Sequence, residues 1–188
     1  MNRLVRIPTD RVGVLIGKDG ETKDNIEKLT GVKISIDSEE GDVLIDYTHA
    51  NDPSLALTVG DIVMAIGRGF SPAKAMKLLN EEYFFEVFDI RDYVGKKQSH
   101  VERMRARVIG SHGRTREIFE ELAGIHMSVQ GNTVAIIGDS LQLGVARKAL
   151  DMLLNGSEHS AVYKFLERNR LKIKADGMGF SSGPAQLD

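Results

Sequence analysis

The chain has 188 residues, 41% of them hydrophobic and none of them cysteine, with a formal net charge of −2. That length holds two small folded domains, and the absence of thiols excludes disulfides, thiolate metal sites and cysteine nucleophiles. The near-neutral charge argues against coating nucleic acid by bulk charge, and Met1-Asn2-Arg3-Leu4-Val5-Arg6 lacks the apolar core of a signal peptide, so a cytoplasmic protein without membrane segments is expected.

Alternation through Leu4, Val5, Arg6 and Ile7 predicts a short strand broken by Pro8, after which Thr9 or Asp10 caps a short helix carrying Val12, Val14, Leu15 and Ile16. The loop Gly17-Lys18-Asp19-Gly20 leads into a second helix over 21–30, closed by Gly31. Two glycines around two polar residues let the chain turn sharply and come close to another backbone, because neither carries a Cβ. The helix start behind such a loop offers N–H groups to a phosphate. A period-two strand over 32–37, the turn Ser38-Glu39-Glu40-Gly41, a strand over 42–47 and a helix over 55–66 follow. Ser71-Pro72 then starts a short helix over 73–79.

A second unit opens with a strand over 83–90. It has an insertion, 91–99, that the first unit lacks, then a helix over 100–109 and the loop Gly110-Ser111-His112-Gly113, which lies 93 residues after the first. Behind the loops the copies run in register: Thr22 with Thr115, Glu27 with Glu120, Leu29 with Leu122, Gly31 with Gly124, Ile34 with Met127, Ile36 with Val129. The hairpin turn near Gly131-Asn132 is two residues shorter, and Ser54-Leu55 is echoed by Ser140-Leu141 at the head of the last helix. Agreement at loop, cap and apolar positions together indicates a duplicated domain. After Gly156 a further helix over 158–172 carries Val162, Tyr163 and Leu166, and 176–188 reads as a flexible tail. The expected division is 1–80, 81–157, 158–175 and 176–188, in an α+β class with each unit ordered strand, helix, helix, strand, strand, helix.

Charge concentrates on both sides of the second loop. Between Lys96 and Arg116 stand seven basic residues (Lys96, Lys97, Arg103, Arg105, Arg107, Arg114, Arg116) against Glu102 alone. A patch of this kind at a phosphate-sized loop fits nucleic acid better than an ordinary solvated face.

The pattern Ile7-Pro8-x4-Gly13-x2-Ile16-Gly17-x2-Gly20, followed by Thr30-Gly31-Val32-x-Ile34-x-Ile36, resembles the KH domain of RNA-binding proteins over residues 3–68, and the second copy resembles it over 82–155. The resemblance implies two type I KH domains, each a three-stranded antiparallel sheet with three helices on one face. It also implies glycine loops that clamp about four unpaired nucleotides beside an apolar groove. In the first unit that assigns Gly17 and Gly20 to close approach, Lys18 to a phosphate, Asp19 to the solvent side, and Val14, Ile34 and Ile36 to the apolar floor. In the second it assigns Gly110, Ser111, His112 and Gly113 to the loop, with Arg107, Arg114 and Arg116 supplying charge.

The stretch Arg107-x2-Gly110-x2-Gly113-Arg114-Thr115-Arg116, with Ala149-x3-Leu153 and Gly156-x3-Ser160-x-Val162-Tyr163, resembles a narrower family. This is the archaeal and eukaryotic tandem-KH factor of small-ribosomal-subunit assembly, partner of the PIN-domain nuclease that matures the rRNA 3′ end. The implied partners are single-stranded RNA, above all small-subunit rRNA near its 3′ end, together with that nuclease and the translation initiation machinery. No nucleophile with a base and no paired acids appear, and His49, His100, His112, His126 and His159 have no ligand spacing. A monomeric non-enzyme without metal or cofactor is therefore expected. A second reading is a protein-interaction adaptor, in which one KH unit is a scaffold and the basic helix or the C-terminal helix docks a partner. A tandem-KH transcription elongation factor fits less well, because its KH units use the other topology.

Overall fold

The computed structural model describes residues 2–50 and 52–178, in two compact units, Met1–Glu81 and Glu82–Asp188. The first unit runs β1 (Asn2–Arg6), α1 (Thr9–Ile16), a single 3-10 turn (Lys18–Gly20), α2 (Glu21–Thr30), β2 (Lys33–Asp37), β3 (Asp42–Asp46) and α3 (Leu55–Gly67), followed by α4 (Pro72–Ala75) and a 3-10 turn (Met76–Leu79). Its sheet is antiparallel in the order β1-β3-β2. Period-two alternation puts Val5, Val43, Ile45 and Ile34 on one buried face, while Leu15, Ile26, Ile62 and Ile66 are among the fully buried residues of α1, α2 and α3. The β2–β3 turn is set by Asp37, whose carboxylate accepts the N–H groups of Glu39 (2.9 Å) and Glu40 (3.2 Å).

The second unit runs β4 (Phe84–Asp89), α5 (Arg91–Val94), α6 (Gln98–Ile109), a 3-10 turn (Ser111–Gly113), α7 (Arg114–Ala123), β5 (His126–Gln130), β6 (Thr133–Gly138), α8 (Ser140–Leu154) and α9 (His159–Gly177), with sheet order β4-β6-β5. Each unit is thus a three-stranded antiparallel sheet with helices, in the β-α-α-β-β-α order expected of the type I arrangement, once the short insertion helix α5 is set aside. Asp139 and Gln142 form a reciprocal capping box at the head of α8.

Two expectations need correction. The insertion 91–99 is largely helical: it contains α5 and the first residues of α6, which starts at Gln98 because nothing in Gln98-Ser99 breaks a helix. Tyr93 of α5 donates its hydroxyl to Asp151 of α8 at 2.7 Å, and burial beside that carboxylate pushes the phenol up to about 12. The C-terminal helix runs to Gly177 rather than 172, since Lys172 to Ala175 are good helix formers apart from one isoleucine. The expected tail therefore loses 176 and 177 to α9, and 179–188 lie outside the described residues. Val162, Phe165 and Leu166 of α9 join the core of the second unit with Phe119, Ile136, Leu150 and Leu153.

An unforeseen repeat holds both units. In the first, Arg11 of α1 donates to the carbonyls of Ile66 and Phe70, both at 2.8 Å. In the second, Arg107 of α6 donates to Leu153 O at 3.5 Å and to Ser157 O. Ile66 and Leu153 stand in the last turn of the third KH helix of their units, 87 residues apart, as do Phe70 and Ser157 beyond it, so carbonyls at the same two positions receive an arginine in each copy; those of Ile66 and Leu153 also accept the N–H of Gly69 and Gly156, both at 3.1 Å. Arg11→Ala leaves both acceptors part-buried without their charged donor and should lower the stability of the first unit by about 2 kcal/mol. Urea unfolding followed through hydrogen exchange of α3 amides checks this.

Candidate nucleic-acid interface

The two glycine loops have the same backbone. Gly17, Asp19 and Gly20 have φ of 77°, 53° and 81°, and Gly110, His112 and Gly113 have 75°, 53° and 78°. Positive φ is open to glycine, and aspartate and histidine are among the few L residues that enter the left-handed region at modest cost. That accounts for Asp19 and His112 sharing one position despite opposite chemistry. Both are exposed, as are Lys18 and Ser111.

The paired glycines of each loop have different physical jobs. A Cβ on Gly17 would lie 2.3 Å from Thr22 Oγ1 and 2.7 Å from its backbone nitrogen, and one on Gly110 would meet Thr115 at the same two distances. A Cβ on Gly20 would find nothing nearer than Asp24 at 3.7 Å, and one on Gly113 only Arg116 at 3.9 Å. The first glycine is demanded by contact as well as by φ; the second is demanded by φ and leaves its outer side open to an approaching backbone.

The floor of the first groove needs correction. Ile34 is 2% exposed and faces the core opposite Ile45, so it has no surface to offer a base. Val14 and Ile36 are half-buried and remain candidates for contact. The edge strand beside the groove is tied to the second helix in both copies: Glu27 accepts the N–H of Ile34 at 2.7 Å, and Glu120 accepts that of Met127 at 2.9 Å. Burial opposes ionisation of Glu27, but the Ile34 N–H, Lys33 and Lys23 outweigh it and hold the carboxyl below its usual range. These glutamates stood in register in the sequence without any sign of their role.

Arg107, assigned to the second loop's charge, is instead committed to the carbonyls of Leu153 at the end of α8 and Ser157 beyond it. Arg114 and Arg116 are exposed at the head of α7, and the ion pair of Arg114 with Glu117 at 3.9 Å is an exposed one that solvent weakens. Lys96, Lys97 and Arg103 are exposed too, and Arg105 reaches the carbonyl of Gly131 at 3.3 Å. Next to Arg103, a surface groove of about 380 Å³ is lined also by His100, Met104 and Arg107 of α6 and by Val94 of the insertion.

The first loop has a different setting. Glu21 and Asp24 stand in the first turn of α2, and the hairpin turn carries exposed Asp37, Glu39 and Glu40. The corresponding turn in the second unit, Gln130-Gly131-Asn132, is uncharged. Local charge therefore favours an anion at the second loop far more than at the first. No group of metal-ligating side chains occurs among the described residues, and no helix there is long and apolar enough to cross a membrane.

The asymmetry within each glycine pair is measurable. Gly113→Ala should cost about 1–2 kcal/mol, the left-handed penalty alone. Gly110→Ala must also displace Thr115 and should cost about 3 kcal/mol. Thermal melts of the two variants, with amide spectra of α7, check the order.

Comparison with known proteins agrees with this geometry. Residues 84–171 match a family described as the eukaryotic type KH-domain (KH-domain type I), and residues 2–51 match the KH domain. The KH domain-containing protein MJ0443 of Methanocaldococcus jannaschii is 47% identical over 171 residues, which cover 91% of this chain and 75% of that protein. The crystal structure of Dim2p from Pyrococcus horikoshii superposes with a TM-score of 0.82 at 47% identity, over 89% of this chain and 99% of that one. A chain of the a/eIF2alpha-aDim2p-rRNA complex from the same organism gives 0.84 at 46% identity, over 92% of this chain and 95% of that one. APE0754 of Aeropyrum pernix gives 0.86 at 35% identity, over 95% of each chain. With a KH match in each half and relatives this similar along nearly its whole length, the chain belongs to the tandem KH-domain family that includes the archaeal Dim2p.

Proposed function

We propose that this protein binds single-stranded RNA through its glycine loops, with the second unit as the principal grip, and that its RNA is small-subunit rRNA near the 3′ end, held during ribosome assembly. The observation that carries the reading is the second loop: a left-handed turn with an open outer glycine, leading into α7, whose first turn carries exposed Arg114 and Arg116. Phosphates of an unpaired strand fit that combination of positive helix end, close backbone approach and guanidinium charge. Val129, half-buried at the position that Ile36 holds in the first unit, suits bases that have left a stack.

The first loop has the same shape but an acidic rim, so it serves as a weaker second clamp. Joining two clamps in one chain raises the effective concentration of the second, and a continuous strand that spans both is held more tightly than by either alone. The rRNA assignment draws support from the 46% identical chain in a complex with rRNA, and the presence of a/eIF2alpha there supports a partner in the translation machinery. The PIN-domain nuclease enters from the family resemblance. The protein acts here as a binder and not as a catalyst, in the cytoplasm.

The test uses a labelled oligonucleotide of about twelve nucleotides copying the small-subunit rRNA 3′ end, long enough for two four-nucleotide clamps and a spacer. Arg114→Ala and Arg116→Ala should each weaken binding and flatten the dependence of log affinity on log salt by about 0.7 per lost phosphate contact. Lys18→Ala should do the same to a smaller extent. Fluorescence anisotropy over a salt series reads both quantities, and unchanged affinity and slope in all three variants would overturn the proposal.

A further inference from the structure

We infer that Tyr163 is a positioning residue for the second glycine loop, and that α9 is the brace that holds this loop in its RNA-gripping shape. The inference rests on the RNA reading above. Thr115, the second residue of α7, is 2% exposed and packs under Gly110, filling the space that a Cβ there would need. Its hydroxyl lies 2.9 Å from the hydroxyl of Tyr163. The tyrosine ring is met by His159, with ring centroids 5.9 Å apart at 60°, and His159 Nε2 lies 3.0 Å from the carbonyl of Arg107.

One helix thus holds the chain just before the loop, at Arg107, and just after it, at Thr115. That helix is itself fixed, because Val162, Phe165 and Leu166 are buried in the core of the unit. The loop hangs between two points on a rigid element. A loop already held in its bound shape loses less freedom when it takes up RNA.

The first unit is the internal control. Thr22 packs under Gly17 as Thr115 does under Gly110. The 87-residue offset that relates Ile66 to Leu153 and Phe70 to Ser157 places Met76 where Tyr163 stands and Pro72 where His159 stands. Thr22 and Met76 line one surface groove of about 520 Å³, and neither methionine nor proline can donate a hydrogen bond from its side chain. The two loops therefore share one backbone shape, and only the second has a tyrosine holding its threonine.

The test is Tyr163→Phe in the full chain, which removes the hydroxyl and keeps the ring in the core. Hydrogen exchange at 111–113 should accelerate several-fold, while 18–20 and the sheets are unchanged. Affinity for the rRNA oligonucleotide should fall about 2- to 10-fold, the worth of one hydrogen bond. Thr115→Val should give the same loss, the double variant should lose no more than either single one, and Thr115→Ser should restore wild-type behaviour. Unchanged exchange at 111–113, exchange that rises evenly across the unit, or faster loop exchange with unchanged affinity would each overturn the proposal. If the wild-type chain fails to bind the oligonucleotide while Tyr163→Phe still loosens 111–113 alone, the RNA reading falls and the brace stands.

Discussion

The contact between a threonine and the first glycine of each loop is the constraint on which the rest depends. Thr22 and Thr115 occupy the volume that a side chain at Gly17 or Gly110 would need, so the helix start is pressed directly against the turn. That contact fixes where the left-handed residue and the outer glycine fall, and these decide which backbone faces outward. The residue between the glycines can then vary from aspartate to histidine, because its conformation is imposed from outside and both tolerate it. The outer glycine has open space around it, the geometry needed when the next backbone to arrive belongs to another molecule.

Around this shared turn the copies differ in charge rather than in shape. In the first, Glu21 and Asp24 place negative charge at the positive end of α2, and the hairpin turn carries three more exposed acids. In the second, the head of α7 carries two exposed arginines and the hairpin is uncharged. A net charge near zero for the whole chain is thus the sum of an acidic first half and a basic patch in the second, and the sum hides the contrast that matters for a polyanion.

Much of this was legible in the sequence, for a physical reason: loop, cap and alternation are local signals, and they recur at one offset of 93 residues. The limits are equally physical. Alternation places Ile34 and Ile36 on one face of a strand but does not say that Ile34 faces the sealed interior while Ile36 sits at its rim. Arg107 lies in a basic run, and only the fold brings it to the end of α8, 46 residues along the chain. Its partner in function, Arg11, sits at a different point of its helix, so the 93-residue register pairs Arg107 with Val14 and conceals the shared cap. The role of Tyr163 was hidden in the same way, since its hydroxyl partner is 48 residues away.

These long-range contacts bear on what counts as one module. A boundary drawn after 157, where the repeat ends in the sequence, separates α9 from a core in which Val162, Phe165 and Leu166 are as buried as any residue of the KH helices. In the first unit the segment after the third helix is shorter, Pro72 to Leu79, and it leaves Leu29 of α2 59% exposed where its counterpart Leu122 is 9% exposed. Covering α7 and tying down its loop are therefore two results of one event, the extension of that terminal helix. A helix whose apolar residues share one core with Leu122 carries its first turns to Thr115 and Arg107, so apolar packing brings the polar contacts of the loop into register. The first unit reaches the same loop shape without such a helix, so what the core of the second unit adds is anchorage of the loop rather than its geometry.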